Sequence, residues 1–331
     1  MVLEFSMIHA EDRRAGLERW IGAQIKAARF TLTPASEDAS FRRYFRVSMD
    51  DGRSFIAMDA PPGKEDCRPF VRVARMLRAA RVNAPEIFSQ DLDRGFLLLG
   101  DLGTRTYLQE FSADNAPRLI GDATDALLRW QLATRPGELP PYDDALLRRE
   151  MELFPQWYVG RHLKRTLSEK QRDTLENMIT LLVQSALAQP AVYVHRDYMP
   201  RNLMVCEPNP GVLDFQDAVL GPISYDIVSL LRDAFVSWEE EQVLDWTVRY
   251  WEKARSAQLP VDAEFGEFWR AFEWMGLQRH LKVLGIFARI RYRDGKPIYL
   301  QDAPRFVGYA RAVAARYAAL APLARLLDEL E

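Results

Sequence analysis

Cysteine is scarce in this 331-residue chain, which has only Cys67 and Cys206. Two cysteines so spaced suit neither a disulfide framework nor a paired metal motif, so they are read as free thiols in a reducing compartment. No apolar run approaches the roughly 20 residues that span a bilayer, which argues against a membrane protein. The first residues carry acids and no long apolar core, so no signal peptide is expected and a cytoplasmic location is. The net charge of −3 lacks the basic excess of a nucleic-acid-binding protein. Repeats, low-complexity tracts and long linkers are missing too, and no obligatory protein partner is evident. What is present suits a soluble globule of one large domain or two lobes: 48% hydrophobic, 27% charged and 11% aromatic residues.

The stretch 191–218 carries the clearest chemistry. An apolar run leads to His195-Arg196-Asp197-Tyr-Met-Pro-Arg201-Asn202, and a later apolar run ends on Asp214. Asp197 and Asn202 have the spacing of His-Arg-Asp-Leu-x-x-x-Asn, the catalytic loop of phosphoryl transfer. Asp214 falls where such enzymes place a second magnesium ligand. An alcohol attacking the γ-phosphorus of ATP needs a proton acceptor, and a carboxylate at Asp197 supplies one. Magnesium takes oxygen ligands, which an amide at Asn202 and a carboxylate at Asp214 provide. Asp226, in Tyr225-Asp226, is expected to cap the next helix or to brace this loop.

Upstream, 10–28 has helical period, with Leu17, Trp20, Ile21 and Ile25 on one face, and is expected to cover a sheet edge. Residues 30–33, 42–48 and 53–59 read as strands, with Asp51-Gly52 as a hairpin turn. The loop 34–41 has no glycine. It offers Ser36 and Ser40 among small residues whose backbone N–H groups could approach phosphate oxygens. Arg43 shares a face with Phe45 and Val47, and an arginine there wants an anion, either a phosphate or a structural carboxylate. The third strand ends on Asp59, where kinases carry the lysine of Val-Ala-Ile-Lys. The helix 66–81 has Arg68, Arg72, Arg75 and Arg78, so an exchanged pair of Asp59 with Arg72 or Arg75 is expected. Strands at 87–89 and 96–99 lead to Gly100-Asp101-Leu102-Gly103. This tetrad suits a hinge in which adenine pairs with the Gly100 carbonyl and the Leu102 N–H, or else an ordinary turn.

From residue 104 the pattern is mostly helical. Helices are expected at 114–134, at 143–164 with a break at Pro155, and at 168–188 with a Ser168-x-x-Gln171 capping box. Short strands at 203–206 and 212–214 follow, then helices at 227–235, 239–257 and 263–291. A last helix at 304–330 is expected to break at Pro322, and its alanine-rich part from 310 reads as a surface segment.

These motifs, in this order, resemble the aminoglycoside phosphotransferase family, small-molecule kinases on a protein-kinase-like fold. Asp38-Ala-Ser-Phe-Arg-Arg-Tyr-Phe-Arg46, Met58-Asp-Ala-Pro-Pro, Glu65-Asp-Cys-Arg-Pro-Phe70, Leu213-Asp-Phe-Gln-Asp-Ala218 and Leu230-Leu-Arg-Asp233 are similar to its branch of anomeric N-acetylmuramate/N-acetylglucosamine kinases. The resemblance implies an α+β fold: a small antiparallel-sheet N-lobe (1–102) that binds nucleotide, and a mainly helical C-lobe (103–331) for catalysis and substrate. It implies ATP and Mg²⁺, with Asp197 as base and Asn202 and Asp214 as magnesium ligands. The acceptor would be the C1 hydroxyl of a cell-wall amino sugar in peptidoglycan recycling. The strand lysine is the departure, and Arg43 is the candidate to replace it.

Charge bears on the acceptor. Residues 270–300 hold seven Lys or Arg and two acids, which repels polycationic aminoglycosides and suits the carboxylate of muramate. Arg232, Arg279 and His280 are the candidate substrate contacts, although a lone histidine is more often a packing residue. Trp238 and Trp274 fit a core better than a sugar platform. A kinase of choline, homoserine or an aminoglycoside is the alternative, and a nucleotide-binding pseudokinase scaffold comes after it.

Overall fold

Alternating strands and one amphipathic helix build the N-terminal sheet and its cover. The protein was analysed as a computed structural model, which describes residues 2–26, 29–36 and 41–330. The chain divides into two compact units, Met1–Arg105 with Met204–Asp217, and Thr106–Leu203 with Ala218–Glu331.

The first unit runs α1 (Val2–Ile25), β1 (Thr31–Ser36), β2 (Arg43–Ser48), β3 (Ser54–Asp59), α2 (Arg68–Ala79), β4 (Ile87–Asp91) and β5 (Phe96–Gly100). The strands form an antiparallel sheet in the order β1-β2-β3-β5-β4. Gly52, at φ 85°, turns the hairpin between β2 and β3, and the register sets Arg43 opposite Asp59. Leu17, Trp20 and Ile21 of α1 pack on Phe45, Val47, Ala57, Phe96 and Leu98. These residues belong to β2, β3 and β5, so α1 covers a face of the sheet and not its edge. Residues 27 and 28 of the expected helix lie outside the described residues.

In α2, Phe70, Val71, Val73, Ala74 and Leu77 are buried, and the helical period therefore turns Arg72 and Arg75 to solvent. Arg75 reaches Gln90 (3.4 Å). The expected exchange of Asp59 with Arg72 or Arg75 is not made, because Asp59 already has two other arginines. The stretch 204–217 is tied into this unit by backbone bonds. Val205 N–H donates to the Arg105 carbonyl (2.8 Å) and Val212 N–H to the Asn83 carbonyl (2.7 Å). The Phe215 ring packs on Phe70, 4.8 Å between centroids.

The remaining elements, in chain order, are α3 (Tyr107–Glu110), α4 (Ala116–Leu132), α5 (Asp144–Met151), a π-helical turn at Phe154–His162, α6 (Glu169–Ala188), β6 (Ala191–Val194), β7 (Leu203–Met204), β8 (Gly211–Val212), β9 (Val219–Pro222), α7 (Tyr225–Leu231), α8 (Glu240–Ser256), α9 (Phe265–Asp294), α10 (Ala303–Arg316) and α11 (Ala321–Leu330). A sheet unit joined to a mainly helical remainder is the expected fold class. The Ser168–Gln171 capping box forms as read, and Pro155 opens the π-helical turn.

β9 pairs antiparallel with β6. Two local readings change. The C-terminal helix breaks at Tyr317, not at Pro322. Pro322 sits in the first turn of α11, where its missing N–H costs nothing. The segment from 310 is amphipathic and not merely surface, since Val313, Ala314, Leu320, Leu323, Leu326, Leu327 and Leu330 are buried. No helix among the described residues is long and apolar enough to cross a membrane.

Candidate active site

In the second unit, β6 is a short apolar strand whose Val192, Tyr193 and Val194 are buried. It ends on His195, and the chain then turns through Arg196 at φ 75°. Left-handed backbone costs a non-glycine residue on the order of 1–3 kcal/mol, so the surroundings must hold it. Asp226 supplies one hold. This carboxylate, fully buried at the start of α7, accepts the N–H groups of His195 (2.7 Å) and Arg196 (3.0 Å). Burial nevertheless outweighs those two donors and pushes the Asp226 pKa up to about 7. Of the two expected roles, bracing the loop is the one observed.

Glu150 of α5 supplies the second hold, pairing with the Arg196 guanidinium at 2.5 Å. Glu150 also meets Lys282 of α9 (3.0 Å) and accepts the Tyr142 hydroxyl. Burial alone would raise the Glu150 pKa, but Lys282, Arg196 and Tyr142 lower it. Sequence reading missed this cluster. Glu150 lies 46 residues from Arg196, and Lys282 was counted as part of a basic face.

Asp197 follows Arg196. Its N–H donates to His195 Nδ1 (3.3 Å). The Asn202 Nδ2 donates to the Asp197 carbonyl (2.9 Å), which closes the loop around the 3₁₀ turn Pro200–Asn202. With its NH₂ so engaged, the amide oxygen is the end of Asn202 suited to a cation. The Tyr198 hydroxyl, buried, donates to the Ala123 carbonyl (2.8 Å) and anchors the loop on α4.

In the first unit, Asp214 has φ 62° and accepts Gln216 Nε2 at 2.9 Å. Phe215 beside it is buried. The charge at Asp59 is enclosed by arginines. Arg13 Nε donates to Oδ1 (2.6 Å), and Arg43 donates Nε (3.1 Å) and Nη2 to Oδ2. The anion that Arg43 wants is therefore a carboxylate here, while its side chain remains 38% exposed. Asp101 in the expected hinge pairs with Arg46 through two bonds (2.7 and 3.0 Å) and accepts Gly103 N–H. Burial opposes the Asp101 charge, but those bonds win and lower its pKa. The Gly100 N–H donates to the Glu86 carbonyl (2.8 Å), and a Cβ on Gly100 would come within 3.3 Å of the Glu86 nitrogen. Ser36 ends β1, and Ser40 lies outside the described residues.

The candidate substrate contacts are all buried. Arg232 pairs with Glu240 (2.5 Å), and Arg279 donates to the Arg232 carbonyl at 3.5 Å. His280 stacks on Tyr309, 5.2 Å between centroids, and burial lowers its pKa well below the usual histidine value. A cavity of about 30 Å³ beside Arg232 and His280 has room for a water and not for a pyranose. Within 270–300, Arg270 pairs with Glu267, Lys282 with Glu150 and Arg293 with Asp294, and of these pairs only that of Lys282 is buried. Trp238 packs edge-on against Phe111 and Trp246, and Trp274 against Tyr317.

A family model for the phosphotransferase enzyme family matches residues 31–265. The chain belongs to the phosphotransferase enzyme family. Two curated relatives are each named N-acetylmuramate/N-acetylglucosamine kinase. The one from Pseudomonas putida is 59% identical over 301 residues, 91% of this chain and 88% of the relative. The one from Neisseria meningitidis is 51% identical over 323 residues, 96% of each chain. A solved complex of streptomycin, ATP and the aminoglycoside phosphotransferase APH(2″)-IIa is similar in fold, with a TM-score of 0.57 at 15% identity, covering 89% of this chain and 96% of that one. In this phosphotransferase, the braced loop His195–Asn202 lies inside the matched region, as do Asp59, Glu150 and Asp214. Lys282 lies beyond it.

Proposed function

We propose that this phosphotransferase is an ATP-dependent sugar kinase acting on the C1 hydroxyl of N-acetylmuramate and N-acetylglucosamine. Its product would be a sugar 1-phosphate for nucleotide-sugar synthesis in peptidoglycan recycling, and its place of work the cytoplasm. The observation that carries the reading is the loop at Asp197, held from two sides by Asp226 and Glu150. Such bracing suits a carboxylate that must meet one hydroxyl in one orientation. The identity of the kinase relatives across nine-tenths of the chain supports the choice of sugar.

In the proposed reaction the Asp197 carboxylate accepts the proton of the C1 hydroxyl as that oxygen bonds the γ-phosphorus. The bond from phosphorus to the β-bridging oxygen breaks, and ADP leaves. The Asn202 amide oxygen and the Asp214 carboxylate are the proposed magnesium donors. They are hard oxygen ligands of the kind Mg²⁺ prefers. Among the described residues no group of three or more His, Cys, Asp or Glu could hold a metal. Mg²⁺ in phosphoryl transfer commonly takes one or two protein ligands and completes its shell with phosphate and water. When bound, Mg²⁺ would neutralise charge on the transferring phosphate.

The first unit is the proposed nucleotide-binding unit, with the Gly100 carbonyl and Leu102 N–H for adenine and the Ser36 and Ser40 backbone for phosphate. Arg43 offers its Nη1, since Nε and Nη2 go to Asp59. Arg232, Arg279 and His280 are the proposed sugar contacts, which requires the Arg232–Glu240 pair to open toward the lactyl carboxylate.

The test is incubation with Mg-ATP and each N-acetyl sugar, with the phosphate located by phosphorus NMR. Phosphate on C1 is expected, and phosphate on C6 would overturn the anomeric assignment. A panel of choline, homoserine and aminoglycosides, read by ATP consumption, is expected to give no turnover.

A further inference from the structure

Lys282 lies in the middle of α9 and is almost completely buried. A buried ammonium needs partners on every side, since desolvation of an unpaired charge costs several kcal/mol. Lys282 has two, Glu150 (3.0 Å) and the Tyr225 hydroxyl (3.0 Å). Burial works against its charge, but Tyr225, Glu150 and Asp197 outweigh it and raise its pKa, so the side chain stays cationic. The placement is built in. A Cβ on Gly285, one turn further along α9, would meet the Leu153 carbonyl carbon at 2.3 Å. That close approach brings α9 against the end of α5, which carries Glu150.

Glu150 is thus a carboxylate between two cations, and one of them, Arg196, is the residue whose backbone aims Asp197. Arg196 occupies the left-handed region, from which a non-glycine residue relaxes when its restraints go. Asp226 restrains its backbone and Glu150 its side chain. Lys282 makes its ion pair with Glu150, with Asp197 adding an attraction from farther away, so it holds the Glu150 carboxylate in place.

We propose that Lys282 is a positioning residue of phosphoryl transfer, acting through Glu150 and Arg196 to fix the direction of Asp197. This rests on the reading of Asp197 as the base. A side chain that only aims the base leaves both substrates bound and slows the chemical step. Displacements of about 1 Å at a reacting group cost up to about a hundredfold in rate.

The test compares Lys282→Met, Lys282→Arg, Glu150→Gln and the Glu150→Gln/Lys282→Met double variant, each checked for folding by circular dichroism. For Lys282→Met the expected result is a kcat at least about tenfold down, with KM for ATP and sugar within about twofold. Lys282→Arg is expected to recover most of the rate. The double variant is expected to be no slower than the slower single one, because the two residues act in series. A folded Lys282→Met enzyme with wild-type kcat overturns the proposal, as does a multiplicative double variant. If Lys282→Met does not fold, Tyr142→Phe removes another bond to Glu150. There a kcat reduced about threefold at unchanged KM supports the proposal, and an unchanged kcat overturns it. Asp197→Asn is the control. If it remains active, the reading of the base fails. If it is inactive while Lys282→Met is normal, only the role of Lys282 fails.

Discussion

Asp59 in the first unit and Glu150 in the second are each a buried carboxylate between two cations. Asp59 sits between Arg13 and Arg43, whose side chains are 23% and 38% exposed. Glu150 sits between Arg196 and Lys282, at 19% and 9%. The arginines at Asp59 keep a rim in water, which can hydrate them if the acid is removed. Lys282 has no such recourse. Asp59 also joins α1, β2 and β3 of a sheet layer, whereas Glu150 joins helices to the turn proposed to carry the chemistry. Similar electrostatics therefore fixes a scaffold in one place and, in the proposed reading, a reactive geometry in the other.

The largest effect expected from that difference belongs to the residue that the second cluster serves. Asp197→Ala should lower kcat by about 10²–10⁴-fold, the usual share of a general base, and leave nucleotide binding nearly intact. Steady-state kinetics beside ATP titration calorimetry would check this. A residual kcat within about tenfold of wild type would remove the reason for a braced loop.

Next come the two acids themselves. Glu150→Gln leaves Lys282 buried against a neutral amide, and breaking a buried pair in this way costs about 3–5 kcal/mol. Asp59→Asn should cost less, about 1–3 kcal/mol, because water reaches both arginines. Urea denaturation of the two variants measures the contrast. Equal losses would erase it. Added salt should narrow the loss at Asp59 more than the loss at Glu150, since partly exposed pairs are the more readily screened.

The legible parts of this molecule are the local ones. Phe45 and Val47 alternate into the core because side chains on a strand alternate faces, and Ser168 caps α6 because its partner Gln171 is three residues on. The motif from His195 to Asn202 stands out for a related reason, since it is a spacing within eight residues, and the bond from Asn202 to the Asp197 carbonyl closes it as one loop. What a helix packs against is not written in its own period, so the α1 stripe was clear while its place on the sheet face was not. The same limit applies to Asp59. Its acidic side chain called for cations, and the nearest helix offered four arginines, yet the sheet register supplied Arg43 and α1 supplied Arg13. Glu150 and Lys282 leave no trace at all, because each is an ordinary charged residue until α5 and α9 meet. Burial also divides the basic segment 270–300, where Arg279 and Lys282 lie inside while Arg270, Arg291, Arg293 and Lys296 stay at the surface.

The smallest effect is a slope with pH, and it separates the two carboxylates that hold Arg196. Glu150 has a lowered pKa in the fold, so its contribution is present above its unfolded value and is lost as pH falls. Asp226 is shifted the other way, from 3.8 to about 7. The folded state then binds more protons than the unfolded chain between those values, and stability falls as pH rises through that window. The Asp226 contribution is complete below about pH 4 and gone above about pH 7. The wild-type urea midpoint should therefore drift downward from pH 5 to pH 8, and Asp226→Asn, which cannot ionise, should flatten the drift. Asparagine keeps one acceptor oxygen for two N–H donors, so the variant should also be less stable at pH 5, where wild-type Asp226 still gains. A drift that persists unchanged in Asp226→Asn would assign the slope to another group and leave the loop braced by an acid that is ionised throughout.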